Sequence, residues 1–139
     1  MHTVVAAALV RDGRVLLGHR SPARRWYPDV WDVLGGHIDE GESPQQALVR
    51  ELDEELGVAV DTSLGGPLAR LVDPEGQGGG LDITIWVVTA WRGEIVNQAP
   101  EEHDALRWFT RAELPHLDLA HTRLPALLDR ALSAPGGAV

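Results

Sequence analysis

The chain of 139 residues is long enough to bury a hydrophobic core without disulfide bonds, and its hydrophobic content of 44% is ordinary for a globular protein. It contains no cysteine, which excludes disulfides, thiol nucleophiles and zinc–thiolate sites. The net charge of -9 argues against binding to a nucleic-acid polymer, although an acidic protein can still bind a phosphate ester through metal ions.

The first part of the chain predicts a β-hairpin followed by a loop. Residues 3–10 form an apolar run, and a turn at 11–14 leads into a second strand at 15–20. Residues 21–29 form a predicted loop, and residues 30–34 a short extended segment. The apolar run is short and lacks a basic start, so no signal peptide is predicted, and no stretch approaches membrane-spanning length. We therefore expect a cytoplasmic protein without a membrane partner.

A helix is predicted between residues 43 and 57. Ser43 begins a capping box, Pro44 suits the first helical position, and Gly57 is a typical left-handed helix stop. At about 100° per residue, one side of this helix carries the aliphatic residues Leu48, Val49, Leu52 and Leu56. That side is predicted to pack on the core.

Three carboxylates, Glu51, Glu54 and Glu55, are expected on the neighbouring side of the same helix, whereas Asp53 points away from them. Like charges one helical turn apart repel by a few tenths of a kcal/mol per pair, or by more when they are desolvated. Arg50 offsets one of these charges, and a hard cation would offset the rest. All-oxygen ligands suit Mg²⁺, Mn²⁺ or Ca²⁺ rather than zinc. The spacing therefore predicts a divalent-metal site.

The remainder of the chain adds further strands and short helices. Strands are predicted within 59–73, at 81–91 and at 105–109, and helices near 111–114 and 122–132. Residues 76–80 are rich in glycine and are a candidate lid. His116 and His121 are expected at the surface or as helix caps. We predict a single domain over 1–133 and a loose tail at 134–139.

The segment from Gly36 to Val58 resembles the Nudix box, G-x5-E-x7-R-E-U-x-E-E-x-G-U, in which U is a large aliphatic residue. Its nine fixed positions are filled by Gly36, Glu42, Arg50, Glu51, Leu52, Glu54, Glu55, Gly57 and Val58. The chain is therefore identified as a member of the Nudix hydrolase family, related to MutT, which cleaves nucleoside diphosphates linked to another moiety. The resemblance implies an α/β/α sandwich built around a mixed β-sheet. Small relatives often dimerise, so we expect a monomer or a homodimer.

The resemblance also implies a metal site in the box. Glu51, Glu54 and Glu55 would ligate Mg²⁺, with Mn²⁺ as an alternative, and the carbonyl group of Gly36 is a further candidate ligand. Arg50, which we include in the catalytic set, would mainly brace the preceding loop against the helix together with the box glutamate that precedes it.

A glutamate is expected to take the proton of the attacking water. Glu54 is one candidate for this general base. Relatives often place an extra metal-binding or catalytic glutamate in the loop before a Trp-Phe strand, which makes Glu102 the second candidate and Glu101 the next. The alternative for the pair at 101–102 is an ordinary charged turn.

Residues before the box are candidates for substrate binding. Arginine forks suit phosphate oxygens, and aromatic rings stack on nucleobases. The candidates are Arg20, Arg24, Arg25, Trp26, Trp31 and His37, with Tyr27 as a further aromatic residue. The alternatives are a solvated surface loop for the arginines and the plugging of a small core for the tryptophans.

The resemblance leaves several substrates open. The first expected substrate is a nucleoside triphosphate, standard or oxidised, which would be cleaved to the monophosphate and pyrophosphate. The second is ADP-ribose or another nucleotide sugar. Residues 16–37 are also similar to isopentenyl-diphosphate isomerase, but that enzyme relies on a catalytic cysteine, which this chain lacks. A non-catalytic nucleotide sensor is the other alternative, although such modules usually lose the box glutamates.

Overall fold

The structure of the protein is a computed structural model that describes residues 1–133. The tail predicted at 134–139 lies outside the described residues. The strands are β1 (His2–Arg11), β2 (Arg14–Arg20), β3 (Trp31–Asp32), β4 (Leu34–His37), β5 (Ala69–Asp73), β6 (Leu81–Val88) and β7 (His103–Thr110). The helices are α1 (Pro44–Leu56) and α2 (Leu124–Ser133), and a short 3-10 helix spans Leu114–His116.

All of these strands belong to one mixed sheet. Its main order is β3-β2-β1-β6-β5, with β4 paired to β1 and β7 paired to β2. The pair of β1 and β6 is parallel, whereas the other pairs are antiparallel. The mixed sheet predicted from the sequence is therefore confirmed.

The two helices cover opposite faces of the sheet because successive side chains of β1 point to opposite sides. One face packs under α1 and contains Val5, Ala7, Leu9, Leu48, Leu52 and Leu56. The other face packs under α2 and contains Ala6, Ala8, Val10, Leu124, Leu127 and Leu128. This arrangement is the predicted α/β/α sandwich. No helix within residues 1–133 combines the length and the apolar character needed to cross a membrane.

Helix α1 begins and ends where its caps predict. The side-chain oxygen of Ser43 accepts a hydrogen bond from the backbone of Gln46 at 3.1 Å, and the side chain of Gln46 accepts one from the backbone of Ser43 at 2.9 Å. At the other end, Gly57 adopts a φ of 72° and donates its backbone N–H to the carbonyl group of Asp53. The caps hold both ends of the helix that carries the box glutamates.

Three predicted elements differ from the structure. The strand expected at 81–91 ends at Val88, and residue 91 instead packs its indole ring on Trp108. The helix expected at 111–114 is replaced by the 3-10 helix at Leu114–His116, which has Pro115 near its start. The extended segment predicted at 30–34 is two short strands that pair with different neighbours, β3 with β2 and β4 with β1.

Candidate active site

The turn from β4 into α1 places the box loop against the helix. Gly36 on β4 pairs with Val5 of β1, and its backbone lies directly beside the side chain of Glu51. A Cβ atom at residue 36 would lie only 2.5 and 2.6 Å from the two carboxylate oxygens of Glu51. Glycine is therefore required at residue 36 so that this carboxylate can lie against the backbone of β4.

Arg50 is the brace of the loop. Its Nε and Nη2 atoms donate to the two carboxylate oxygens of Glu42 at 2.8 and 3.0 Å, and Nη2 also donates to the carbonyl group of His37 at 3.0 Å. Its Nη1 donates to Glu51 at 2.9 Å and to Glu54 at 3.2 Å. A guanidinium has five N–H donors, and these contacts use them all. These bonds raise the pKa of Arg50 and lower that of Glu42.

Glu55 is a buried carboxyl group, one oxygen of which has no hydrogen-bond partner in the described part of the chain. Its side chain points into the protein beside Glu51, the residue is only 4% exposed, and its Oε2 atom makes no hydrogen bond within residues 1–133. Burial, followed by the negative charges of Glu51 and Glu102, raises the pKa of Glu55 to about 9. Burial also raises the pKa of Glu51. A cation beside these two carboxyl groups would relieve both the repulsion and the missing contact.

Glu54 faces outward and contacts Arg50. Its side chain is 57% exposed. With Glu54 in this position, no three acidic or histidine side chains in residues 1–133 converge closely enough to hold a metal ion. The donor set nevertheless fits a hard divalent cation, because it offers carboxylate oxygens, an orphan buried oxygen on Glu55 and a glycine backbone against Glu51. Glu54 would have to leave Arg50 to join that set.

A cavity of about 110 Å³ lies beside the carboxylate cluster. Its apolar walls come from Val4, Val5, Ala6, Val33, Leu81 and Ile83, and its polar walls from His2, Arg20, Arg24, Trp26, Tyr27, Asp32, His37, His103 and His121, with Gly35 and Gly36 completing the lining. Pockets for drug-sized ligands usually measure about 300–1,000 Å³. The cavity is therefore sized for one flat ring of a ligand, with the rest of the ligand outside it.

The three candidate arginines occupy different positions. Arg20 donates to the backbone carbonyl groups of Trp26 and Tyr27, at 2.8 Å each, so it mainly holds the loop that follows β2. Arg24 lines the cavity, and its guanidinium makes no hydrogen bond to the described part of the chain. Arg25 lies outside the cavity, with its guanidinium 4.8 Å from the ring of Trp26. Arg24 is thus the arginine with donors available to a ligand in the cavity.

The candidate aromatic residues also separate. Trp26 lines the cavity, where its ring lies 4.5 Å from that of His2, whose Nδ1 atom is 3.0 Å from Nε2 of His37. Trp31, in β3, packs edge-on against Phe109 with 4.8 Å between the ring centroids, next to the core under α2. The structure therefore places Trp26 and His37, but not Trp31, at the cavity wall.

A model of the NUDIX domain matches residues 1–130 of the chain. The chain belongs to the NUDIX family. It is 37% identical over 127 residues to a CTP pyrophosphohydrolase of Escherichia coli (strain K12), a match that covers 91% of this chain and 89% of that protein. It is 33% identical over 141 residues to a putative 8-oxo-dGTP diphosphatase 2 of Mycobacterium tuberculosis, covering 97% and 92%.

Solved structures agree with this assignment. The chain is similar to a MutT NUDIX hydrolase from Burkholderia pseudomallei, with 31% sequence identity and a TM-score of 0.78, over 92% of this chain and 95% of that one. The family predicted from the box is therefore confirmed, and with it the enzyme class, a hydrolase of phosphorus-containing anhydrides.

The loop before β7 brings Glu102 toward the buried carboxyl group of Glu55 in this NUDIX protein. Its backbone carbonyl accepts a hydrogen bond from Ser21 at 3.0 Å, and its charge contributes to the raised pKa of Glu55. Glu101 is exposed on the outside of the same turn. The structure thus places Glu102, rather than Glu101, on the side of the site.

Two cavity residues were not among the sequence-predicted candidates, and a third was expected elsewhere. Asp32 is buried, with one oxygen 3.7 Å from Arg20 and the other 3.9 Å from His121, and burial raises its pKa. His103 is buried at the start of β7, where desolvation and the charges of Arg24 and Arg20 lower its pKa to about 4. His121, expected at the surface or as a helix cap, instead lines the cavity. An acidic residue inside the apolar run at 30–34 was the one available indication for Asp32.

Proposed function

We propose that this protein is a Mg²⁺-dependent pyrophosphohydrolase that converts a nucleoside triphosphate to the monophosphate and pyrophosphate. The observation that carries the proposal is the pair formed by the half-buried Glu51 and the buried Glu55, whose Oε2 atom is unpaired among the described residues, placed next to a cavity the size of one ring. Mn²⁺ is the expected substitute for Mg²⁺, because both prefer oxygen ligands. We place this activity in the cytoplasm.

The proposed ligands of Mg²⁺ are the carboxylates of Glu51, Glu54 and Glu55 and the carbonyl oxygen of Gly36. When bound, Mg²⁺ supplies charge neutralisation at the pyrophosphate oxygens and lowers the pKa of a bound water molecule. Glu54 is the most exposed of the three and is held only by Arg50, so its side chain is free to turn toward the other two. Arg50 keeps its fork on Glu42 when Glu54 leaves, so the loop stays braced.

The proposed general base is Glu54 or Glu102. Both lie on the edge of the carboxylate cluster, and a base must come within hydrogen-bonding reach of the attacking water, directly or through one more water molecule. The base removes a proton from water as the water oxygen bonds to phosphorus. The bond between that phosphorus and the bridging oxygen then breaks, and pyrophosphate leaves.

The cavity supports a nucleotide substrate with its base inside and its phosphates toward the metal site. Trp26 and His37 stand at the cavity wall, and Arg24, which also lines the cavity, offers N–H donors to a phosphate group. The relatives named for CTP and for 8-oxo-dGTP support a nucleoside triphosphate. ADP-ribose and nucleotide sugars rank second, since we identify no residue in the cavity lining as a binding group for a second sugar.

A phosphate-release screen tests this proposal. Standard and oxidised nucleoside triphosphates and nucleoside diphosphates are incubated with Mg²⁺ or Mn²⁺ and added inorganic pyrophosphatase. ADP-ribose and diadenosine polyphosphates, which yield no pyrophosphate, are incubated with added alkaline phosphatase, which releases phosphate from the terminal phosphates of their products. Glu54→Gln is the blank and is expected to lose at least about 10²-fold in kcat, the usual cost of losing acid–base help. Triphosphate turnover that vanishes in the blank supports the proposal. A preference for ADP-ribose would contradict the proposed substrate class. A kcat of Glu54→Gln within twofold of wild type would remove Glu54 from the catalytic set.

A further inference from the structure

Two cavities lie side by side in this protein and share a wall. The cavity next to the carboxylate cluster measures about 110 Å³, and a second one, between β5 and the segment before α2, measures about 400 Å³. Tyr27, Leu81 and His121 line both. We call the cavity next to the carboxylate cluster the inner cavity and the larger one the outer cavity. These three side chains form the partition between them.

Tyr27 is the part of this partition that the structure fixes most firmly. Its backbone N–H donates to Oε1 of Gln77 at 2.9 Å, and its hydroxyl oxygen accepts from the backbone N–H of Gln77 at 3.0 Å. Its ring meets the ring of His121 edge-on at 4.9 Å. Two hydrogen bonds to a residue 50 positions away and one aromatic contact hold the phenol ring in the wall.

The backbone of Tyr27 is strained to place the ring there. Its φ is 50°, in the left-handed region that bulky residues rarely occupy because it is strained for them. The glycine-rich loop that carries Gln77 is fitted to it, because a Cβ atom at Gly76 would lie 2.9 Å from the hydroxyl oxygen of Tyr27. The strained backbone of Tyr27 and the close approach of Gly76 together indicate that the ring is held at a defined position and is not an incidental surface residue.

We propose that Tyr27 determines the largest base that the inner cavity accepts, and that Gln77 positions Tyr27 for this role. The inner cavity is bounded on the outer side by the phenol ring, so a base with a bulky substituent on its amino group meets this wall. Removing the ring joins the inner cavity to the outer one. The proposal rests on the proposed function, in that it takes the inner cavity to be the site of the base.

The test compares the binding of matched nucleotides to four proteins. The probes are the non-hydrolysable α,β-imido analogues of ATP and CTP, each with and without a benzyl group on the exocyclic amine, measured by calorimetry with Mg²⁺. Wild type is expected to bind the unsubstituted form at least about tenfold more tightly, the discrimination that a closed apolar wall provides. Tyr27→Gly, which suits a positive φ, is expected to remove this preference.

Two further variants separate the ring from its supports. Tyr27→Phe keeps the ring and loses one hydrogen bond, so it should keep the wild-type ratio between the two nucleotides. Gln77→Ala removes the Oε1 acceptor of the Tyr27 backbone N–H but keeps the backbone N–H that donates to the Tyr27 hydroxyl. It therefore loosens the backbone that carries the ring and should give an intermediate ratio, which also serves as the test if Tyr27→Gly does not fold. A purely structural role would lower Tm in both Gln77→Ala and Tyr27→Gly without changing the ratio.

The outcomes distinguish this proposal from the proposed function. An unchanged ratio in Tyr27→Gly, or in Gln77→Ala where Tyr27→Gly is unfolded, overturns the role of Tyr27. A changed ratio in a protein that hydrolyses none of the unmodified nucleoside triphosphates keeps the partition and overturns the proposed reaction instead.

Discussion

Glu55→Gln is predicted to stabilise the metal-free protein while removing much of its response to Mg²⁺. Burial and neighbouring charges raise the pKa of Glu55 from 4.5 to about 9. Between these two pH values the folded protein holds a proton that the unfolded chain releases. Stability is therefore greatest below pH 4.5 and is lost as the pH rises toward 9.

The size of this stability effect follows from the difference between pH 7 and the ordinary glutamate pKa of 4.5. Each pH unit above 4.5 costs the folded state about 1.4 kcal/mol, so Glu55 destabilises the metal-free protein by about 3 kcal/mol at pH 7. Glutamine has nearly the same shape and no charge, and it removes this cost. For a domain of this size, 3 kcal/mol corresponds to a rise in Tm of about 5–15 °C.

Thermal unfolding at pH 7, in EDTA and in excess Mg²⁺, measures the effect. Wild type should be less stable than Glu55→Gln in EDTA and should gain more stability from Mg²⁺, because ligand binding to the folded state raises its stability. Asp53→Asn is the matched control, since Asp53 lies exposed on the same helix and its loss should stay within about 0.5 kcal/mol. A Glu55→Gln protein that is less stable in EDTA, or that gains as much from Mg²⁺ as wild type, would refute the reasoning.

Three further predictions follow from single residues. Arg24→Ala should raise KM about 10–100-fold, the cost of a lost charge-assisted hydrogen bond, and steady-state kinetics should show a much smaller change for Arg25→Ala. Arg50→Lys cannot donate two hydrogen bonds in parallel to Glu42, so the Mg²⁺ affinity measured by calorimetry should fall about 10–100-fold, as is usual when a residue that supports metal ligands is changed. An unchanged affinity would contradict the role of Arg50 in holding the loop. The pKa of His103 is lowered to about 4, so the stability that its neutral form contributes is complete above pH 6.5 and is lost as the pH falls toward 4. Between pH 7 and pH 4.5, the free energy of unfolding measured in urea should therefore fall by about 2–3 kcal/mol more in wild type than in His103→Gln.

Elements governed by local chemistry were predictable from the sequence. The capping box at Ser43 and the left-handed Gly57 gave α1 its exact ends, because a cap needs only neighbouring residues. Glu51 and Gly36, which the resemblance to the Nudix box makes candidate ligands of one metal site, lie side by side in the structure. The strand predicted at 81–91 was too long, because the apolar residue at its end packs on Trp108, a contact with another strand that the local pattern does not contain.

Features built from distant residues were not predictable. Tyr27 meets Gln77 across 50 positions, and Asp32 approaches His121 across an even larger separation. The burial of His103 depends on the pairing of β7 with β2, which no periodicity in the sequence specifies. The outward turn of Glu54 likewise reflects competition for Arg50, which depends on side-chain geometry rather than on spacing.

The most direct test of the central claim is the identity of the products. The protein is incubated with CTP or 8-oxo-dGTP and Mg²⁺, without added pyrophosphatase, and the phosphorus-containing products are resolved by ³¹P NMR. We predict equal amounts of the nucleoside monophosphate and pyrophosphate, and neither product with Glu54→Gln. A nucleoside diphosphate with inorganic phosphate, or intact triphosphate in a sample that binds Mg²⁺, would contradict the proposed function.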